Sequence, residues 1–338
     1  MLEKPNIQDA VILSHLNAEY NQHAKELRFL PLGADMGTAV YQVSANDGTD
    51  YFLKLRKGFK ELSVTIPLFL KSQGVKEIIS PIETKSNQGW ADFGEYKMIL
   101  YPFIKGVNGF EAELSNGHKR TLGVTLKAIH SAPILPELKR QIPQETFSPK
   151  FRESMKSFQE TVDEQTYDDP IAAKLAEFIK SKHGEIDHLI EKANVLASEL
   201  QSKPLEFVLC HADIHGGNML IGETGEFHVV DWDTPLLAPK ERDLMFIGGG
   251  IDNIWKTEQD EVLFYEGYGD AKINFAALAY YRYERVIEDL VAFCEQLLLS
   301  DEGGTDRDQA YRWFVSNFES GGTIDIADKT GYPNEDTK

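Results

Sequence analysis

The sequence predicts an α+β protein of two lobes, an antiparallel-sheet N-lobe followed by a mainly helical C-lobe. Three observations predict it. Short runs rich in β-branched and aromatic residues, separated by Gly and Asn turns, occupy the N-terminal part, and long helical patterns fill most of the remaining chain. A length of 338 residues also exceeds one minimal core and suits two lobes.

Taken in order, Leu27–Leu32, Thr38–Ser44 and Tyr51–Leu55 read as a β-meander, punctuated by Gly33-Ala34-Asp35-Met36-Gly37 and Asn46-Asp47-Gly48. The small residues of the first turn would let backbone N–H groups approach an anion, although a plain hairpin connection explains Gly33 and Gly37 as well. Lys54 interrupts the apolar run Phe52-Leu53-Lys54-Leu55, with Arg56 on the same face. On an edge strand both would form a solvated stripe. Glu61-Leu62-Ser63-Val64 starts a helical stretch that Pro67 is expected to interrupt, and a Glu there suits a helix N-terminus. Tyr96–Tyr101 reads as the last strand of an N-lobe spanning 1–101, and Pro102-Phe103-Ile104-Lys105-Gly106 as a hinge, 102–106.

The C-lobe is expected over 107–320. Leu122, Leu126 and Ile129 fall at helical spacing after Ser115, a suitable N-cap, and His130 closes that helix as a packed or capping residue. From Phe147 to Ser202 the patterns Ile171–Ile179 and Ile186–Leu200 have charged faces and no catalytic cluster, so a helical insertion is expected at about 147–202. Glu241-Arg242-Asp243-Leu244 opens a helix with acids in its first turn. Tyr281–Leu290 is amphipathic, and a charged helix face is by default solvated. Periodicity is lost from Gly321 to Lys338, which reads as a mobile tail, 321–338.

Composition narrows the function classes. Only Cys210 and Cys294 occur, too few for a disulfide framework or a zinc site, so both read as buried apolar fillers. No run of eighteen apolar residues and no signal-peptide pattern is present, so a soluble, cytoplasmic protein without a membrane partner is expected. A net charge of −19 disfavours nucleic-acid and anionic-membrane partners and would attract a cationic small molecule, although acidic surfaces also aid solubility.

The chemistry concentrates in Val208–Asp233, VLCHADIHGGNMLIGETGEFHVVDWD. Met219-Leu220-Ile221 and Phe227–Val230 flank Gly222-Glu223-Thr224-Gly225-Glu226, a hairpin with Thr224-Gly225 at its tip. Pairing Glu223 with Glu226 and counting outward sets Asn218 opposite Asp231, with Cβ atoms within about 5.5 Å, close enough to share one cation. Asp213, five residues before Asn218, is left to act on something else. Hard oxygen ligands plus a further carboxylate are what phosphoryl transfer from Mg·ATP to a hydroxyl requires. Asp, Asn and Gly are also ordinary turn residues. The combination His-x-Asp-x-x-x-x-Asn, then thirteen residues to an Asp that ends an apolar strand, is far rarer.

This constellation resembles the catalytic loop and metal-binding aspartate of the protein-kinase-like fold, in the form used by the aminoglycoside phosphotransferase family; His215 and Asp231-Trp232-Asp233 support that branch. Tyr101–Ile104, Pro239–Gly250, Phe264–Gly269 and Tyr281–Leu290 look most like its spectinomycin phosphotransferase members, and the likeness runs from about Pro5 to past Leu290. The resemblance implies an enzyme using ATP and Mg to move the γ-phosphoryl group onto a hydroxyl of spectinomycin or a close aminocyclitol. It implies that Asp213 orients or deprotonates the acceptor hydroxyl, that Asn218 and Asp231 hold magnesium, that His211 supports the loop and that Asp243 stabilises the fold near it.

On the nucleotide side, the resemblance implies that Lys54 contacts the α- and β-phosphates beneath the turn of Gly33 and Gly37. Glu61 is the first candidate to hold Lys54, but it follows by only seven residues, a departure from the family pattern. Counting back from Gly106 as the hinge glycine assigns the adenine contacts to the carbonyl of Pro102 and the N–H of Ile104. Asp233, Trp255, Tyr281, Glu284 and Glu288 are implied, with Asp213, for the acceptor pocket. Spectinomycin carries two secondary amines, which suit carboxylates and an aromatic wall. Two other readings stay open: a kinase for choline, homoserine, a ribose derivative or a glycated amine, and a nucleotide-binding protein without catalysis. The presence of Asp213, Asn218 and Asp231 together argues against the second.

Overall fold

The computed structural model describes residues 4–31, 37–249, 254–300 and 306–330. Its elements, in chain order, are α1 (Asp9–Glu19), β1 (Ala24–Leu30), β2 (Thr38–Ala45), β3 (Asp50–Arg56), α2 (Leu62–Ser72), β4 (Ala91–Phe93), β5 (Tyr96–Pro102), β6 (Gly106–Asn108), α3 (Asn116–His130) and α4 (Pro136–Lys139). There follow α5 (Lys150–Glu164), α6 (Pro170–Ser181), α7 (His183–Gln201), β7 (Val208–Cys210), β8 (Met219–Gly222), β9 (Phe227–Val229) and β10 (Leu236–Ala238). The chain ends in α8 (Glu241–Leu244), α9 (Glu258–Tyr268), α10 (Phe275–Leu298), α11 (Asp306–Ser316) and α12 (Thr323–Lys329). This is the α+β architecture the sequence predicts, a sheet-bearing N-terminal region and a helical C-terminal one.

Two compact units result, Met1–Ile142 with Gly216–Pro235, and Pro143–His215 with Leu236–Lys338. The expected boundary at 102–106 is not where they part. Directly after the hinge, β6 pairs with β8, β8 pairs with β9, and Ile78 bridges Val229, so the hairpin belongs to the first unit. Gly106 permits this. A Cβ there would stand 2.1 Å from the Ile221 carbonyl oxygen.

The first unit is built on a five-stranded antiparallel sheet in the order β1-β2-β3-β5-β4. Alternation sorts its residues by face. Tyr41, Val43, Leu53, Leu55, Met98 and Leu100 turn towards α1, where Ile12, Leu16 and Tyr20 complete the core. The other face carries the row Val40, Lys54, Ile99 and beside it the row Thr38, Arg56, Lys97. Because β3 lies between β2 and β5, Lys54 is on an interior strand, which removes the edge-strand explanation for its charge. Pro67 does not interrupt α2, which runs on to Ser72. Ser115 does cap α3: its hydroxyl accepts from the His118 N–H while the His118 ring accepts from the Ser115 N–H.

In the second unit α5, α6 and α7 bury apolar residues at helical spacing, as the insertion pattern requires, and α10 is its longest helix. Cys210 and Cys294 are both buried and free, as the composition suggested. The segment expected to be an unstructured tail instead contains α12. Arg282 donates to Thr330 Oγ1 at 2.8 Å and Tyr283 to Asp328 at 2.7 Å, so residues 323–330 are tied to α10, and the short helix hides Ala327. Residues 331–338 lie outside the described residues. No helix among the described residues is long and apolar enough to cross a membrane.

Candidate active site

The hairpin that carries Asn218 and Asp231 forms, but one residue out of the expected register. Met219 faces Val229, Leu220 faces His228 and Ile221 faces Phe227. The Val230 N–H donates to the Asn218 carbonyl at 3.0 Å, so Asn218 opposes Val230 and not Asp231. The cause is the turn. The Gly222 N–H donates to the Glu226 carbonyl and the Gly225 N–H to the Gly222 carbonyl, which leaves three residues in the loop and Gly225 at φ +90°. A three-residue loop with Gly in the left-handed region is the common alternative to a two-residue hairpin, and counting from Glu223–Glu226 missed it. Asp231 itself takes φ +65°, so its side chain does not follow strand alternation.

That departure brings Asp231 to the strand lysine: Lys54 Nζ stands 3.7 Å from Asp231 Oδ1. Two residues on along each segment, Arg56 Nη1 meets Asp233 Oδ1 at 2.5 Å, and Lys60 Nζ donates to the Asp233 carbonyl at 3.4 Å. Lys54 and Arg56 are thus not a solvated stripe; they face the carboxylates of Asp231-Trp232-Asp233 in parallel. Burial raises the Asp233 carboxyl, but the Arg56 hydrogen bond and the charges of Lys54, Arg56 and Lys60 outweigh it and hold the carboxyl below its ordinary value. Glu61 does not join them. It is exposed at the start of α2, its side chain makes no ion pair with Lys54, and α2 contains no acidic residue to replace it. The lysine therefore has Asp231 where a helix glutamate was expected.

At the hinge, Phe103 N–H donates to the Asp50 carbonyl at 3.3 Å and Ile82 N–H donates to the Leu100 carbonyl at 2.7 Å. By alternation the backbone groups of Pro102 and Ile104 face away from β3, the direction Leu100 takes. Proline loses nothing there, since its position opposite Tyr51 asks for no ladder N–H. Pro102 and Ile104 also line a cleft of about 410 Å³ with Val75, Ile78, Ile79 and His228. Gly37 precedes β2, where its carbonyl accepts from the Lys57 N–H. Gly33 lies outside the described residues.

In the second unit the loop after β7 is fixed from below by Asp243. Its two carboxylate oxygens accept the N–H groups of His211 at 2.9 Å and Ala212 at 2.7 Å, and both Asp243 and His211 are fully buried. Ala212 sits at φ +68°, a conformation that costs energy for a residue with a Cβ and is held by these bonds. The next residue is Asp213. Its N–H donates to His211 Nδ1, its Oδ1 accepts from Arg285 Nη1 at 2.8 Å, and its Oδ2 lies 3.5 Å from His215 Nε2. Burial alone would raise this carboxyl, but the His215 hydrogen bond and the Arg285 charge hold it well below the usual carboxylate range. It is ionised throughout the physiological range.

The other acceptor-pocket candidates separate. Glu284 is bound to buried Arg152 at 2.7 Å, and burial first, with Arg152 opposing, lifts its carboxyl to about 7. Tyr281 is buried among Phe147, Tyr280 and the Arg242 guanidinium. Glu288 is partly exposed, 4.0 Å from Arg242, and Trp255 is partly exposed, edge-on to Phe264. Asp213 and Arg285 form a contact the sequence did not announce, because Arg285 and Asp289 look like any i,i+4 pair on a solvated face. Asp231 and Asp213 are both partly accessible, 44% and 32% exposed, and an amide oxygen plus a carboxylate, as Asn218 and Asp231 offer, is a donor set that suits a hard divalent cation.

Comparison with known proteins identifies the family. Residues 28–283 match the model of the phosphotransferase enzyme family, APH. The structure of spectinomycin phosphotransferase APH(9)-Ia in complex with ADP and spectinomycin is 34% identical, covers 97% of this chain and 99% of its own, and superposes with a TM-score of 0.89. The AMP-bound complex of the same phosphotransferase is 32% identical over 96% of this chain and 100% of its own, TM-score 0.86. An aminoglycoside phosphotransferase from Alicyclobacillus acidocaldarius shares the fold at 13% identity, covering 97% of each chain with a TM-score of 0.63. A sequence comparison with curated proteins finds no significant match.

Proposed function

Since the chain belongs to the phosphotransferase enzyme family and is an ATP- and magnesium-dependent kinase of alcohol groups, we propose that its acceptor is spectinomycin or a close aminocyclitol. The observation that carries this reading is likeness along nearly the whole chain, at 34% identity, to an enzyme seen with ADP and spectinomycin. A likeness confined to the catalytic loop would support only the reaction class. The net charge of −19 favours the same acceptor, because a cationic aminocyclitol is drawn to an acidic protein.

In this reading the sheet of the N-terminal region holds the nucleotide. Lys54 supports the phosphates, and the Pro102 carbonyl and Ile104 N–H, both turned away from β3, read the adenine edge. Asn218 and Asp231 are the oxygen donors for magnesium, which, when bound, offsets charge on the phosphates. Asp213 accepts the hydrogen bond of the acceptor hydroxyl and takes its proton late. Its depressed basicity is compatible with that role, since a loose transition state needs little base strength. Asp233, Trp255 and Glu288 remain candidates for the acceptor side. Glu284 and Tyr281 act there only through what they hold, because one is engaged by Arg152 and the other is buried.

Mass spectrometry of spectinomycin incubated with the protein and Mg·ATP tests the acceptor. A mass gain of one phosphate is expected. Unchanged spectinomycin together with rapid ADP release on choline or another amino alcohol would replace the acceptor while leaving the reaction class in place.

A further inference from the structure

We infer that Arg285 is a positioning residue for the transfer reaction, a guanidinium anchored on α10 that holds the Asp213 carboxylate in one orientation. The inference rests on the reading of Asp213 as the residue that receives the acceptor proton. Arg285 reaches in two directions at once. Its Nη1 is 2.8 Å from Asp213 Oδ1 and its Nε is 3.0 Å from Asp289 Oδ1, one helical turn further along α10. The Asp289 side chain is 15% exposed, so the anchor is largely withdrawn from water, where an ion pair is screened least. The guanidinium carbon lies over the Phe246 ring, 5.6 Å from its centre.

That ring is fixed in turn. Arg282, one turn before Arg285, donates to the carbonyls of Met245 at 3.1 Å and Ile247 at 2.7 Å and to Thr330 Oγ1 at 2.8 Å, so the segment bearing Phe246 is clamped to α10 and α12. Arg285 is thereby flanked on two sides, by the Phe246 ring and by the Asp289 carboxylate. A planar guanidinium that donates to one carboxylate through Nη1 while a second carboxylate lies beside its Nε is a task for arginine, and lysine cannot perform both halves. With Oδ1 of Asp213 held by Arg285, the acceptor hydroxyl is met on the side of Oδ2, beside the His215 ring that approaches that oxygen at 3.5 Å. Base strength is sacrificed for orientation, and a loose transition state tolerates that exchange.

The titratable and charged groups that face Asp213 in this unit include His215 on its own loop and, on α10, Arg285 with Asp289 and Glu288 behind it. Removing the Arg285 charge takes away a cation that holds the Asp213 carboxyl down and lets that carboxyl rise. The acid limb of the rate profile must then move to higher pH.

The test is steady-state ADP release by Arg285→Met, Arg285→Lys, Asp289→Asn and Asp213→Ala, with spectinomycin as acceptor and with water where spectinomycin is not turned over. Arg285→Met is expected to lower kcat by about 10- to 100-fold, the usual cost of losing a group that orients a reacting residue, with KM for ATP within about twofold of wild type. Its acid limb should shift up towards the ordinary carboxylate value of about 4. Arg285→Lys should recover part of the rate and most of the pH shift, and Asp289→Asn should lower kcat less than Arg285→Met. If Arg285→Met does not fold, Arg285→Gln carries the test by the same two readouts, and Asp289→Asn by kcat alone, because it leaves the Arg285 charge in place. Wild-type kcat and an unmoved acid limb in the folded variants, with Asp213→Ala inactive, would overturn the positioning role alone. Near-normal turnover by Asp213→Ala would overturn the reading beneath it.

Discussion

Two aspartates near the ends of one short sequence stretch are held in opposite ways. In the first unit Asp231 has a single lysine at 3.7 Å, and 44% of its side chain is exposed. In the second unit Asp213 has an arginine at 2.8 Å that is itself pinned by Asp289, a histidine on its other oxygen, and a backbone fixed from below by Asp243. One contact is long, solvated and easily exchanged. The other is short and backed by a second partner. A metal ligand has to release its resting partner when the ion and its phosphates arrive, whereas a residue that meets an incoming hydroxyl gains from being in place beforehand. The difference in how each carboxylate is held matches the difference in what each is proposed to do.

The comparison breaks most directly at Asp213. Asp213→Ala is expected to lower turnover by about 10² to 10⁴ while Mg·nucleotide still binds, as measured by ADP release beside calorimetry. Next in size is Lys54→Met, expected to reduce kcat/KM for ATP by about a hundredfold through loss of one phosphate-facing donor, while thermal stability holds because the long contact to Asp231 contributes little to folding. Asp243→Ala should act on the fold. It leaves two buried N–H groups without an acceptor and a left-handed Ala212 unsupported, so unfolding free energy should drop by about 3 kcal/mol in urea titration.

A pH series sharpens the contrast between buried and solvated acids. Burial lifts Glu284 to about 7 in the folded state, above its ordinary value of about 4.5, so the native protein binds the extra proton. Stability from this group is therefore fully present below about 4.5 and declines as pH rises towards 7. Glu284→Gln should flatten that part of the Tm-against-pH curve, whatever it does to Tm itself. Smallest of all, Gly225→Ala should cost about 1 kcal/mol because an alanine must adopt the left-handed turn at φ +90°, with no change in turnover beyond what stability explains.

Much of this was legible from residue order. Alternating apolar runs gave the strands β2, β3 and β5 to within a residue or two, Ser115 announced α3, and the spacing of Asp213, Asn218 and Asp231 pointed to the reaction class before any fold was in view. What was missed has physical causes. The hairpin slipped by one because Thr224-Gly225 fits both a two-residue and a three-residue loop, and only Gly225 in the left-handed region decides between them. Lys54 looked exposed because a sequence does not say that β3 is interior. Glu61 looked like its partner because nearness along the chain was the only guide, whereas the true neighbour, Asp231, lies far along the sequence. Arg285 was hidden because charges at i and i+4 on a helix read alike whether they face water or another loop.

The two modes of holding are compared most directly by calorimetric titration of an ATP analogue into Asp231→Asn and Asp213→Asn, each with and without magnesium. Asp231→Asn is expected to lose the magnesium-dependent share of the affinity, and Asp213→Asn to keep it in full. Equal losses in both variants, or a loss at Asp213 alone, would contradict the division of roles between the two aspartates.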